Sequence, residues 1–312
     1  MKPIGEPAAV GVLLMAYGTP SGPGDILTYY THIRRGRPPP PQLLAALEGR
    51  YRAIGGVSPL RERTEAQRAR LGAALAADHP GRFVTALGMK HAEPFVEDGV
   101  AELAKAGADG IVGLVLAPHY SRGGVGEYLE RLNDAADGLG VPSVAVESWH
   151  LLPELLDFHT ARIADRLTAM PERTKVLFTA HSLPERVLVD DVYPDQLRES
   201  AAEVARRVGL NRWAGWGIAW QSAGRTPDPW RGPDILDVID DLAGTGRAEG
   251  LVVCAQGYVS DHLEVLYDLD VEARGRAEAH GLAFARTDAV NDDPVVIGGL
   301  AGRVVDAASA LP

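Results

Sequence analysis

Val176-Leu-Phe-Thr-Ala-His181-Ser-Leu-Pro184 is the stretch that decides the fold. Its charge-free run predicts a strand buried on both faces, and its one imidazole falls at the carboxyl end, just before a Ser-Leu-Pro turn. The same shape occurs earlier as Val12-Leu-Leu-Met-Ala-Tyr17-Gly-Thr-Pro20. A second pair, Glu127-Tyr-Leu-Glu-Arg-Leu132 and Asp261-His-Leu-Glu-Val-Leu266, recurs in the same order. The two pairs predict two related α/β halves facing one another. Tyr17 and His181 then occupy equivalent strand ends on opposite sides of a cleft.

Further Val/Leu/Ile-rich runs extend the pattern. Strands are expected over Val10–Ala16, Arg82–Gly88, Gly110–Leu116, Ser143–Val146, Lys175–Ala180, Gly215–Gln221 and Gly250–Ala255. Amphipathic stretches lie between them, among them Leu43–Ala53, Glu62–Ala77, Glu93–Ala106, Glu154–Thr168, Asp195–Val208 and Asp261–His280. Apolar strands alternating with helices imply parallel sheets flanked by helices, an α/β architecture of two similar Rossmann-like domains. Ligands of such folds bind beyond the carboxyl ends of the strands. The domains are expected over 8–150 and 151–312, divided near Trp149–Pro153, with the last helix a candidate to pack back on the first domain. Pro38–Pro41 reads as a rigid turn.

The chain has 312 residues, 46% hydrophobic and 23% charged, the balance of a soluble globular protein. A net charge of −11 argues against a general binder of nucleic acid or anionic membrane. The single cysteine, Cys254, excludes an internal disulfide and a cysteine-ligated iron–sulfur cluster, which needs about four thiolates. Cys254 itself reads as a small buried hydrophobe. Met1-Lys-Pro-Ile-Gly-Glu-Pro has no apolar signal core, and no apolar run reaches the ~18 residues of a membrane span. A cytoplasmic protein with no integral membrane segment is expected.

Candidate chemistry gathers around His181. A lone histidine there is either a satisfied structural residue or a neutral imidazole acting as metal ligand or general base. Glu264, Asp268 and Glu272 are spaced four apart, on one face of an expected helix. Asp261 and Glu264 alone could be a capping box, and Asp268 and Glu272 a solvated acidic face. Taken with His181, the three carboxylates form a mixed N/O set suited to a borderline divalent ion such as Fe²⁺, Zn²⁺ or Co²⁺. Tyr29-Tyr-Thr-His-Ile-Arg34-Arg35-Gly-Arg37 reads as a solvated helix end or as a carboxylate clamp. In Gly55-Gly-Val-Ser58-Pro-Leu60, Ser58 is either an N-cap or an anion contact.

At these residues the chain resembles the ferrochelatases. The resemblance is carried in order by Met15-Ala-Tyr17-Gly-Thr-Pro20, Tyr29 to Arg37, Gly55 to Leu60, Lys90-His-Ala-Glu-Pro94, Ala117-Pro-His-Tyr120, Ala180-His181-Ser-Leu-Pro184, Tyr193-Pro-Asp-Gln-Leu197, Trp220-Gln-Ser222, Thr226-Pro-Asp-Pro-Trp230 and Ser260-Asp-His-Leu-Glu264. The first two versions look like those of the soluble, monomeric bacterial group that inserts iron into coproporphyrin III. The resemblance implies His181 and Glu264 at the metal-insertion centre, with Tyr17 facing them across the macrocycle. It implies an outer divalent-cation approach at Asp268 and Glu272, and propionate contacts from Arg34, Arg50, Tyr51, Ser58 and Tyr128. Arg35, Lys90, His91 and Trp230 are further cleft residues. Three stretches depart from the usual family versions: Cys254-Ala-Gln-Gly-Tyr-Val259, Gln221-Ser-Ala-Gly-Arg225 and His119-Tyr-Ser-Arg-Gly-Gly124. The membrane-anchoring and cluster-binding extension of some relatives is expected to be missing.

The resemblance further implies insertion of Fe²⁺, as substrate, into a bent coproporphyrin III in haem biosynthesis, with no cofactor. Haem-pathway enzymes are candidate donors of that substrate, and Zn²⁺ is expected to insert as well. Alternatives are protoporphyrin IX as substrate, a cobalt or nickel chelatase, a non-catalytic porphyrin carrier, and a bare metal-binding protein.

Overall fold

The computed structural model describes residues 9–211, 215–224 and 226–312; Ala8, where the first domain was expected to begin, and Arg225 lie outside them. The first half carries β1 (Ala9–Ala16), β2 (Phe83–Met89), β3 (Ala108–Val115) and β4 (Ser143–Val146) in one sheet, ordered β2-β1-β3-β4. The second carries β5 (Thr174–His181), β6 (Trp216–Gln221), β7 (Gly250–Cys254) and β8 (Ala283–Arg286), ordered β6-β5-β7-β8. Every pairing is parallel. The two orders are the same order, with β5 standing where β1 stands, as the internal repeat predicts.

Helices cover both sheets. The first half has α1 (Ile26–Ile33), α2 (Pro41–Ala53), α3 (Leu60–Asp78), α4 (Val96–Lys105) and α5 (Glu127–Leu139). The second has α6 (Pro153–Leu167), α7 (Tyr193–Val208), α8 (Ile235–Gly244), α9 (Leu263–Tyr267), α10 (Arg274–Ala279) and α11 (Pro294–Ala308). Successive residues of a strand point to opposite faces, and this sorts the core. Val10, Val12 and Leu14 meet α3 through Leu71 and Leu75, and α11 through Val296, Leu300 and Val304. Leu13 and Met15 face the other way, onto Val100 and Leu103 of α4 and Leu132 of α5. In the second sheet Leu177 and Val253 meet α8 and α9, while Val176 and Phe178 meet α6 and α7. The last helix therefore crosses back onto the first sheet.

Two sequence readings need correction. Ala283–Arg286 is a strand that was not expected; it is a four-residue, half-buried edge segment whose apolar run, Leu282–Ala285, is too short to mark a strand. The single helix expected over Asp261–His280 is instead α9, a widened π-helical segment over Asp268–Ala273, and α10. No helix among the described residues is long and apolar enough to cross a membrane.

In each sheet the chain reverses direction beside the central strand, so a crevice opens between the carboxyl ends of β1 and β3, and of β5 and β7. Tyr17 follows β1 and His181 ends β5, while α5 and α9 enter behind β3 and β7.

Candidate active site

His181 ends a strand whose preceding residue, Ala180, is fully buried. Behind it runs Gly257, whose N–H donates to the Thr179 carbonyl at 3.0 Å. A Cβ at Gly257 would fall 2.5 Å from the Ala180 Cβ, so this departure from the usual family version still needs its glycine. The His181 Nδ1 lies 2.5 Å from the Ser182 carbonyl oxygen. An acceptor there places the ring hydrogen on Nδ1 and turns Nε2 toward the cleft. Nε2 is 3.5 Å from Oε1 of Glu264.

Glu264 sits in the first turn of α9, but no capping box forms. The N-cap residue is His262, in extended conformation. The Asp261 carboxylate instead accepts from Asn291 Nδ2 at 2.9 Å and lies 3.3 Å from Arg286. Glu264 is thereby left between two imidazoles, with His262 Nε2 3.6 Å from its other oxygen. Gln221 fixes the turn by donating to the Glu264 carbonyl at 3.0 Å. Burial pushes the Glu264 carboxyl upward, yet His181 and then His262 outweigh it and hold the group well below the usual carboxylate range. Burial likewise pushes His181 down, but Glu264, Ser182 and Asp268 bring it up to about 9. The resting pair is therefore imidazolium and carboxylate, where the sequence reading had a neutral imidazole.

The opposite wall is aromatic and cationic. The Tyr17 ring, 43% exposed, lies 4.6 Å from that of His91. Its phenol is raised by its surroundings and by the charge of Glu264, and stays neutral. His91 Nδ1 is 3.0 Å from His32 Nδ1, so one of the two carries the shared hydrogen. Burial and the neighbouring Lys90 drive His91 down to about 3. Tyr128 is buried beneath Lys90, whose ammonium stands 5.1 Å from the ring centre and 2.5 Å from Glu127. Tyr51 is buried, its hydroxyl 3.3 Å from Thr19 Oγ1. Ser58 is buried too, and its oxygen accepts from the Leu60 N–H at 3.3 Å; the N-cap of α3 is Pro59, so Ser58 does not take the N-cap position weighed from sequence. Arg34 lies 5.9 Å from the Tyr30 ring centre, and its Nε is buried without a partner.

Glu264, Asp268 and Glu272 differ in surroundings. Glu264 is half buried and Asp268 is 5% exposed, whereas Glu272 is exposed. The solvated-face alternative thus holds for Glu272 alone. Asp268 is taken up by Arg50 of α2 and by Ser222 Oγ, which both donate to it. Burial raises the Asp268 carboxyl to about 6, against the pull of Arg50. Among the described residues no group of three or more His, Cys, Asp or Glu is placed to hold a metal ion. Of the mixed N/O set, only His181 and Glu264 meet directly.

A buried polar seam behind the cleft escaped the sequence reading. His119 Nε2 is 2.9 Å from Ser200 Oγ, and the Tyr120 N–H donates to Gln196 Oε1 at 2.7 Å, tying the loop after β3 to α7. Ala117-Pro-His-Tyr120 was the available signal, but it carried no spacing that pointed to a partner.

The ferrochelatase family profile matches residues 9–308. A coproporphyrin III ferrochelatase of Bacillus pumilus (strain SAFR-032) is 42% identical over 312 residues, 96% of this chain and 97% of that protein. That of Bacillus subtilis (strain 168) is 42% identical over 95% of this chain and 97% of its own length. In fold, the chain is similar to SirB from Bacillus subtilis with Fe³⁺, with a TM-score of 0.58, 12% identity and 96% of each chain covered. It is also similar to CbiX, with a TM-score of 0.54, 14% identity and coverage of 97% of this chain and all of that one. A profile match over nearly the whole length, with relatives at this identity, is what sequence motif and site geometry both lead to: the chain belongs to the ferrochelatase family.

Proposed function

We propose that the protein is a lyase that inserts Fe²⁺ into coproporphyrin III in haem biosynthesis. The observation that carries the reading is the His181–Glu264 pair at the end of β5, opposite Tyr17 at the equivalent end of β1. The names of the relatives support coproporphyrin III as the substrate. Insertion replaces two pyrrole N–H protons with the ion, so the site must accept protons and admit a cation. A cation approaching the pair competes with the proton on His181, since a nitrogen ligand binds metal only when deprotonated. With its own proton passed to solvent, His181 is then the neutral imidazole that takes one pyrrole proton, the other leaving to solvent, or that transiently ligates iron, with Glu264 holding the charge. Tyr17 and His91 form an uncharged wall against which a flat macrocycle would lie. Bending that macrocycle tilts its nitrogen lone pairs toward the ion, with the strain offset by contacts to its periphery. The proposal extends to a cytosolic monomer that receives its porphyrin from other haem-pathway enzymes; cell fractionation and sedimentation test those points.

The test is anaerobic absorbance spectroscopy with Fe²⁺, comparing coproporphyrin III with protoporphyrin IX. Metallation of coproporphyrin III in preference is the expected result. Equal kinetics on both would reject the assigned substrate, and binding of either without metallation would make the protein a carrier.

A further inference from the structure

The segment α1–α2 of the first half lies on α9 of the second. Ile26 and Tyr51 pack with Leu263, and Leu44, Leu47, Ile54 and Tyr267 border the contact. Arg50 sits at this junction, its guanidinium 5.0 Å from the Tyr267 ring centre. It donates to Asp268, and its Nε is buried with no partner. The Arg50 side chain keeps 26% exposure, while that of Asp268 keeps 7%. The neighbour Tyr51 reaches Thr19 in the loop after Tyr17, so Arg50 stands at the cleft edge, where carboxylates on a macrocycle's rim would arrive. An arginine with a free N–H edge at such a place suits a carboxylate ligand. In this structure it is committed to an internal carboxylate.

We propose that Asp268 is a positioning residue for substrate recognition, holding Arg50 in the resting enzyme and releasing it to a propionate of the porphyrin. The inference rests on the proposed function, since the ligand is that porphyrin. Ser222 makes the exchange feasible. It donates to the second oxygen of Asp268, so the carboxylate keeps a hydrogen-bond donor after Arg50 departs. Every propionate bound at Arg50 must then displace an internal competitor, whereas a porphyrin that lacks a carboxylate at that corner leaves the Arg50–Asp268 pair closed. The exchange also leaves Asp268 without its cation, one turn beyond Glu264.

The test measures metal-free porphyrin binding by quenching of tryptophan fluorescence, for wild type, Asp268→Asn, Arg50→Gln and the double variant. Asp268→Asn is expected to lower Kd for coproporphyrin III about fivefold, the equivalent of one partly exposed ion pair. The gain should vanish in the Arg50→Gln background. Ser222→Ala, which removes the donor that stabilises released Asp268, should raise Kd, and it keeps the test open should Asp268→Asn fail to fold. Unchanged or weaker binding in Asp268→Asn overturns the proposal, as does a gain that persists without Arg50. Unchanged binding in Ser222→Ala also counts against it. Wild-type protein that binds neither coproporphyrin III nor protoporphyrin IX overturns the proposed function itself, and the exchange with it.

Discussion

The two halves share one strand order and put a functional side chain at the same strand end, yet they do different work. At β5 that side chain is charged: His181 and Glu264 form an ion pair, steadied by Gln221 and His262. At β1 it is neutral: Tyr17 keeps its proton and leans on an uncharged His91. The first half carries its cations on other residues, Arg34, Arg50 and Lys90. On the proposed function, one scaffold serves as a proton- and metal-handling wall in its second copy and as a holding wall in its first. The strand end supplies the position, and the residue placed there supplies the chemistry.

That division can be broken in several ways. His181→Ala should remove most turnover, about 10²- to 10⁴-fold, with the fold intact by circular dichroism. Undiminished metallation would move the chemistry to the Tyr17 wall. Gly257→Ala should come next. Its Cβ would lie 2.5 Å from that of Ala180 and push the strand end that carries His181, at a cost of about 1–3 kcal/mol in urea unfolding. Tyr17→Phe keeps the ring and removes only the hydroxyl. It should cost less than about tenfold in kcat, the scale of one neutral hydrogen bond. A loss equal to that of His181→Ala would show that both walls carry chemistry.

The smallest expected effect is on stability against pH, where two groups of histidines should act with opposite sign. The folded pKa of His181 is raised from 6.5 to about 9. Its contribution is complete below about 6.5 and is lost as pH rises through about 9. Burial holds His159 down to about 4 and His119 well below 6.5. Their contribution is complete above about 6.5 and is lost as pH falls, because the unfolded chain binds protons the folded one refuses. The melting temperature should therefore fall by a few degrees on each side of neutrality. His181→Ala should flatten the alkaline limb and, by freeing Glu264, also remove that carboxylate's contribution in the acid range; an unchanged alkaline limb would reverse the assignment.

Much of this was readable in the sequence. Strands buried on both faces must be continuously apolar, so seven of the eight showed themselves in the chain. Ala283–Arg286 was missed: its apolar run, Leu282–Ala285, is too brief to separate a strand from a loop by pattern alone. The internal repeat put Tyr17 and His181 at equivalent strand ends, and the shared strand order of the two sheets agrees with that equivalence. The partner of Asp268 could not be read. Arg50 is 218 residues away, and sequence pattern speaks of periodicity, not of which distant side chains meet. The charge on His181 was also hidden. Reference pKa values make a lone histidine neutral near pH 7, and only the placement of Glu264 overturns that. The failed capping box explains the error at Asp261: its carboxylate was claimed by Asn291 and Arg286, both beyond the helix it was expected to start.

The helix α11 belongs by sequence to the second half but buries Val296, Leu300 and Val304 in the core of the first. Two lobes joined only by a linker would be free to rock about it, as domains commonly do. Here the chain's own end is sewn into the opposite lobe, so rocking would expose apolar surface and is penalised. By contrast, α1–α2 touches the second half through a small apolar patch on α9 and one ion pair, Arg50–Asp268, a far smaller contact than that of α11. The two lobes are clamped by the chain's own end rather than by a linker.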